Sequence, residues 1–237
     1  MNGKPDWGKR AQRGFLGSGI DPADTKGYKN LYIDTLQKMV LEDVLEPKGD
    51  EVVLDFGCGS GRISYWIAPR VKEVIGLEVT PQMIELAEKN RSAGNVRFFV
   101  YDGVHFPALP EMVDLIISVG VIQILDKLAM TRTLTALGQY LKSGGRFYLI
   151  EQTSDSPKVE RPAVSDYLRA FEESKLEVVN HFPIRKGRSW LLYLIRYGVI
   201  PGSWLSGIAR KEIHRLREEK PKPISYYRDY LFVLRKP

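Results

Sequence analysis

The first regular pattern in the chain is helical. Between 28 and 46 the apolar positions Tyr32, Leu36, Met39, Val40 and Val44 recur at helical spacing, and Pro47, Lys48 and Gly49 stop the run. Short apolar, β-branched runs then predict strands at 51–56, 73–78, 96–101, 113–119 and 146–151. Helical stretches separate them at 62–68, 81–91 and 127–141. Thr80 and Pro81 open the second of these as N-cap and first helical residue, and Asp126 caps the third. Lys142, Ser143, Gly144 and Gly145 then turn the chain into the fifth strand.

After the fifth strand the rhythm changes. A helix is expected at 164–174, a strand at 176–182 and a last strand at 229–235. The segment 183–228 between those two strands is far longer than a hairpin turn and is rich in Trp, Tyr and Arg. Residues 1–27 are Gly-rich, charged and aperiodic, which reads as a flexible arm or a lid. The fold expected is α/β: a doubly wound, mainly parallel seven-stranded sheet with helices on both faces and an antiparallel last strand. One domain, 28–237, carries 183–228 as an insertion before that strand.

Composition changes this picture little. With 237 residues, 43% apolar and 27% charged, the chain suits one soluble domain. Its one cysteine, Cys58, fits a reducing compartment, and the N-terminus has no apolar run of a secretory signal. A cytoplasmic location is expected. Charge is informative, because it is uneven. From Arg185 to Pro237 there are 13 Lys/Arg and 4 Asp/Glu, a balance of +9. The remaining 22 basic and 25 acidic residues give −3, so a near-neutral body carries a basic tail segment. Such asymmetry fits an anionic partner, or simply a solvated face.

The sequence EVVLDFGCGSGR joins a buried strand directly to a helix, with Gly57, Gly59 and Gly61 at every second position. Residues without side chains keep that turn tight and let backbone approach a ligand beside the helix N-terminus. A dinucleotide-binding loop would need glycine three positions after Gly59, where Arg62 stands. Asp55 ends the strand, and a carboxylate there suits an ammonium or sulfonium better than a pyrophosphate. Glu78 closes the second strand, 21 residues after Gly57, where an acid can accept from ribose hydroxyls. Asp102 and Gly103 close the third.

With these motifs the chain resembles the class I methyltransferases that use S-adenosylmethionine (SAM), closely over 51–151. The resemblance implies that Asp55, Gly57, Gly59 and Gly61 surround the methionine part of SAM. It implies that Glu78, with Val79 beside it, holds the ribose, and that Asp102 and Gly103 meet the adenine. The stretch after the fourth strand, with Ser118, Val119 and Gln123, resembles the segment that closes over the cofactor and faces the acceptor.

No motif marks the acceptor or the base. Glu151 at the end of the fifth strand and His181 near the end of the sixth are the candidates for catalysis; His105 follows Asp102 closely. No Cys/His clustering suggests a metal. With Cys58 inside the glycine loop, a thiol-dependent pyrimidine C5 route lacks its nucleophile. In the insertion, Trp190 and Tyr226 offer stacking area and Arg185, Arg188 and Arg196 offer anion contacts. They point to an anionic small-molecule or glycan-type acceptor methylated at oxygen, with similarity to glycan- and natural-product-pathway methyltransferases. The rival acceptors are a protein or peptide amine, and RNA bound by the basic tail. The apolar stretch 189–208 is interrupted by Arg196, glycines and Pro201, so it reads as an acceptor lid or, through 189–220, as a peripheral membrane contact and not a span.

Overall fold

A computed structural model describes residues 5–109, 112–219 and 226–237. Five strands stand where the periodicity predicts them, with helices after the first, second and fourth: β1 (Val52–Phe56), β2 (Glu73–Glu78), β3 (Val96–Val100), β4 (Val113–Val119) and β5 (Leu141–Thr153). The sheet is completed by β6 (Glu177–Lys186) and β7 (Arg228–Arg235), in the order β3-β2-β1-β4-β5-β7-β6. Strands β1 to β5 pair in parallel, and β7 runs antiparallel to both β5 and β6. The strand order reverses between β1 and β4, and a crevice opens there above the carboxyl ends of the strands.

Successive side chains of the central strands enter opposite cores, so nearly continuous apolar runs are needed there. Val53, Val74, Ile117, Tyr148 and Val233 meet one helical layer: α3 (Tyr28–Glu42), α4 (Arg62–Ile67), α8 (Trp190–Arg196) and α9 (Leu205–Glu218). Their neighbours Leu54, Ile75, Ile116, Phe147 and Phe232 meet α6 (Lys127–Tyr140) and α7 (Val164–Glu173) on the other face. Helix α5 (Pro81–Lys89) packs beside β2 and β3.

Some boundaries differ from the sequence expectation for identifiable reasons. Helix α3 stops at Glu42, short of 46. Strand β5 begins at Leu141, which pairs with Val113, while Arg146 pairs with Leu115; Lys142 to Gly145 bulge out between those pairs. Asp126 caps α6 as expected, accepting from Ala129 N at 2.8 Å. Thr80 occupies the N-cap position of α5, but its side chain makes no capping bond.

Residues 5–27, aperiodic in sequence, hold two short helices, α1 (Trp7–Ala11) and α2 (Gly14–Gly17). Tertiary contacts place them. Ser60 Oγ donates to Phe15 O at 2.6 Å, and Asn30 clasps Asp21 through two backbone hydrogen bonds at 3.0 Å each. In the insertion, α9 lies against α3 and β6. Its buried Glu212 accepts from Tyr32 Oη at 2.5 Å and from Lys186 N at 3.0 Å. Among the described residues no helix is long and apolar enough to cross a membrane.

Candidate functional site

The turn from β1 into α4 puts all three motif glycines at positive φ: +69° at Gly57, +54° at Gly59 and +79° at Gly61. A β-carbon at each would meet something different. At Gly57 it would lie 2.2 Å from Val121 Cγ2, so this glycine makes room for the segment after β4. At Gly61 it would strike Phe98, Tyr65 and Ala87, so this glycine lets α4 pack against β3 and α5. At Gly59 nothing lies within 4 Å, and the space belongs to a cleft. Only Gly59 therefore keeps ligand space open by lacking a side chain; the other two glycines serve packing.

The walls of that cleft include Glu78, Val79, Met83, Tyr101 and Val121. Glu78 holds the loop as well as lining the space. Its Oε2 accepts from Gly59 N at 3.1 Å, and its Oε1 accepts from Val79 N at 2.9 Å and Thr80 N at 3.0 Å. Two expected ligand contacts lie elsewhere. Asp55 is buried below the turn and accepts from Ser64 Oγ at 2.6 Å; burial pushes its carboxyl up to about 6. Asp102 is exposed and bonded to His105 Nδ1 at 2.6 Å, which with the backbone N–H groups of His105 and Val104 lowers its carboxyl to about 2. Tyr101 stands on the cleft wall in its place, and Gly103 lies behind Val79. Cys58 is buried, and burial pushes its thiol well above the ordinary range.

A polar cavity of about 250 Å³ adjoins this cleft and shares Val119, Gly120, Ile124 and Trp7 with it. Glu151, 1% exposed at the end of β5, lies in its wall. The carboxylate accepts from the N–H groups of Val121, Ile122 and Gln123 at 3.2, 3.1 and 3.0 Å. These donors favour the charged form, but desolvation by complete burial outweighs them and pushes the carboxyl up to about 8. Gln123, expected at the cofactor, lines this second cavity, and its Oε1 accepts from Gln152 N at 2.6 Å. Ser118 is buried in β4 with no partner for its Oγ among the described residues.

Several cations converge on the cavity. Arg185 is buried and forms a bidentate pair with Asp229, Nε to Oδ2 at 2.8 Å and Nη2 to Oδ1 at 3.1 Å. Arg62 reaches Asp34 at 2.9 Å and Gln37 at 2.6 Å, and Lys29 reaches Asp21 at 2.6 Å. Arg161 and Arg10 differ from these. Arg161 donates to the side-chain oxygen of Gln152 at 2.8 Å and to Glu160 O at 2.7 Å. Arg10 stacks 4.5 Å from the Trp7 ring centroid and donates to Ile20 O, while its buried Nε has no partner among the described residues. Among the described residues neither forms an ion pair with a carboxylate.

Of the candidates in the insertion, only Arg185 reaches this cavity. Arg188 lies over the Tyr226 ring at 3.9 Å, Arg196 donates to Ala23 O, and Trp190 is 74% exposed. His181 is corrected as a catalytic candidate. It pairs with Phe232, hence level with Leu149 below the carboxyl edge, and is exposed on the edge strand, stacked on Tyr230 and Phe232. Sequence reasoning missed Trp7, Arg10, Arg161 and Asp229, all of which line the cavity. Aromatic and basic residues in the aperiodic N-terminus were the one available signal.

Comparison with known proteins bears on the domain and its fold. Residues 53–145 match the family model described as a methyltransferase domain. The 23S rRNA (uracil(1939)-C(5))-methyltransferase RlmD of Vibrio campbellii is 47% identical over 68 residues, 27% of this chain and 16% of that protein. The O-methyltransferase cnsE of Penicillium expansum is 28% identical over 134 residues, 54% of this chain and 48% of that protein. The chain thus spans less than half the length of either relative. Geranyl diphosphate C-methyltransferase from Streptomyces coelicolor A3(2), solved with Mg2+, geranyl diphosphate and S-adenosyl-L-homocysteine, shares the fold. Its TM-score is 0.62 at 18% identity, with 92% of this chain and 87% of that one covered. Residues 53–145 therefore match a methyltransferase domain, and the chain's fold is one shared with S-adenosylmethionine-dependent methyltransferases.

Proposed function

We propose that the chain transfers a methyl group from SAM to an oxygen of a small anionic acceptor seated in the polar cavity. The observation that carries this reading is the cavity itself: small, walled by charged side chains, and joined to the cofactor cleft across Val119 and Gly120. The residues present fit the cofactor. Gly59 leaves open space at the turn, Glu78 retains acceptor capacity for ribose hydroxyls, and Val79, Met83 and Tyr101 offer apolar surface for a purine.

When bound, SAM supplies an electrophilic methyl carbon on a sulfonium. The chain's own work is to position the acceptor and keep water out. Trp7 and Arg10, from the N-terminal segment, wall the cavity. Arg161 and Arg10, neither ion-paired with a carboxylate among the described residues, seat the anionic group. Glu151 accepts the proton of an acceptor hydroxyl; a carboxyl poised near 8 gains its charged form as pH rises through that value.

A cavity of about 250 Å³ favours this acceptor over a polymer. The similarity to the RNA C5-methyltransferase RlmD spans 68 to 77 residues, and Cys58, the one cysteine, is buried in the glycine turn. The test is a screen that detects S-adenosylhomocysteine release across hydroxy acids, sugar phosphates, amines, peptides and RNA. Turnover of hydroxyl-bearing anions is expected. Arg161→Gln should raise their KM about tenfold or more, the loss of a hydrogen bond to a charged group, and leave S-adenosylhomocysteine affinity within about twofold. Turnover confined to peptides or RNA would overturn the reading.

A further inference from the structure

The helical insertion leaves a group of large side chains in solvent that neither cavity uses. Trp190 and Tyr193 on α8, and Tyr197 at its C-cap, follow each other at i, i+3 and i+7, opposite the buried Leu192 and Ile195. The connection to α9 adds Val199, 66% exposed, and Trp204, 64% exposed. Tyr28 and Leu31, exposed one turn apart on α3, extend the same surface. The Tyr28 ring lies against Gly198, where an added β-carbon would be 2.7 Å from it. Helix α9 then continues with the outward residues Arg210, Lys211, His214 and Arg217, which rim a shallow groove floored by Met39 and Ile213. Arg217 is matched by Asp43 and His214 lies beside Glu218, whereas Arg210 and Lys211 make no ion pair among the described residues.

We propose that this face, from α8 through α9, is a docking surface for an anionic lipid bilayer. Three observations favour that occupant. Trp and Tyr side chains with an apolar body and a polar edge suit the headgroup boundary, and an exposed valine at the connection between helices suits shallow insertion. The cationic residues follow the apolar tip along one helix, where anionic headgroups would meet them. A second copy of the chain is disfavoured by charge, because the segment from Arg185 onward carries 13 basic against 4 acidic residues and would face its own like. Nucleic acid would use the arginines but has no use for Val199.

The experiment uses the full chain, without SAM, in cosedimentation with vesicles of phosphatidylcholine alone and of phosphatidylcholine mixed with phosphatidylglycerol. Sedimentation with the mixed vesicles only is expected, together with a blue shift of tryptophan emission. Arg210→Glu combined with Lys211→Glu should reduce partitioning about tenfold or more. Val199→Ser combined with Trp204→Ser should abolish the binding that persists at high salt and diminish the blue shift. Both variants should keep the wild-type melting temperature and S-adenosylhomocysteine affinity, because these side chains lie outside both cavities. Wild-type protein that stays in the supernatant with both vesicle types overturns the proposal. So does binding of poly(U) that Arg210→Glu/Lys211→Glu abolishes while vesicles fail to compete, or a concentration-dependent dimer in light scattering that the Val199→Ser/Trp204→Ser variant abolishes.

Discussion

Glu151 and Gln123 latch the end of β5 to the segment after β4. Glu151 Oε2 accepts from Gln123 N at 3.0 Å, and Gln123 Oε1 accepts in return from Gln152 N at 2.6 Å. The candidate base is thereby held to the strip of backbone, Val119 to Val121, that walls the candidate cofactor cleft. Both candidate sites hang on the same short segment.

The pH dependence of stability follows from Glu151. Burial raises its carboxyl from 4.5 to about 8, so the folded chain binds this proton more tightly than the unfolded chain. The associated stability is present below about pH 4.5 and is lost as pH rises towards about 8. Asp55, raised from 3.8 to about 6, contributes with the same sign over a lower window. The melting temperature should therefore fall between pH 5 and 8, and Glu151→Gln should flatten the upper part of that slope. In acceptor turnover, wild-type kcat should rise with pH through about 8. Glu151→Gln should lose about a hundredfold or more while still binding S-adenosylhomocysteine. Identical slopes in both proteins would sink the assignment.

The glycines separate into a ligand position and a packing position. Gly59→Val places its side chain in the open cleft, and calorimetry should find no S-adenosylhomocysteine binding in a protein that still folds, at a left-handed backbone cost of roughly 1–2 kcal/mol. Gly57→Ala instead drives its β-carbon into Val121 and should lower the melting temperature further. Adding Val121→Ala should recover part of that loss, since Val121 Cβ would be 3.2 Å away. No recovery would mean that the clash is not the cause.

Glu78 and Asp102 should behave unequally. Glu78→Gln removes half of a carboxylate that holds three backbone N–H groups and faces the cleft. Hydrogen bonds to a charged group contribute about 1.5–3 kcal/mol, so affinity for S-adenosylhomocysteine should drop about tenfold or more and the melting temperature should fall with it. Asp102→Asn acts on an exposed side chain bound to His105 and should leave affinity within about twofold. Titration calorimetry showing the reverse order would reject the cleft as drawn.

Arg185 and Asp229 are a structural pair first. Removing either partner strands a buried charge at a cost of about 3–5 kcal/mol. Arg185→Gln and Asp229→Asn should each lower the stability to denaturant by that order, and the double variant should be less destabilised than the sum of the two. Strict additivity in the double-mutant cycle would show that the pair is not coupled.

Much of this protein is local in origin and so was legible in the sequence. The strand runs enter two cores, which demands continuous apolar stretches such as those ending at Phe56 and Val119, and turn glycines with Asp126 as a cap mark where the elements change. The glycine turn and Glu78 were readable because strand ends of a doubly wound sheet must gather at one edge. The acceptor side was not. Arg161, Asp229 and Arg10 lie far apart in the chain and meet only when the sheet forms and residues 5–27 settle over the crevice. His181 shows the same limit in reverse, since its position beside Phe232 is set by antiparallel register with β7, which no local pattern encodes. Local periodicity fixes elements and their buried faces. Pairing of distant charges depends on long-range packing and desolvation, which exist only in the folded chain.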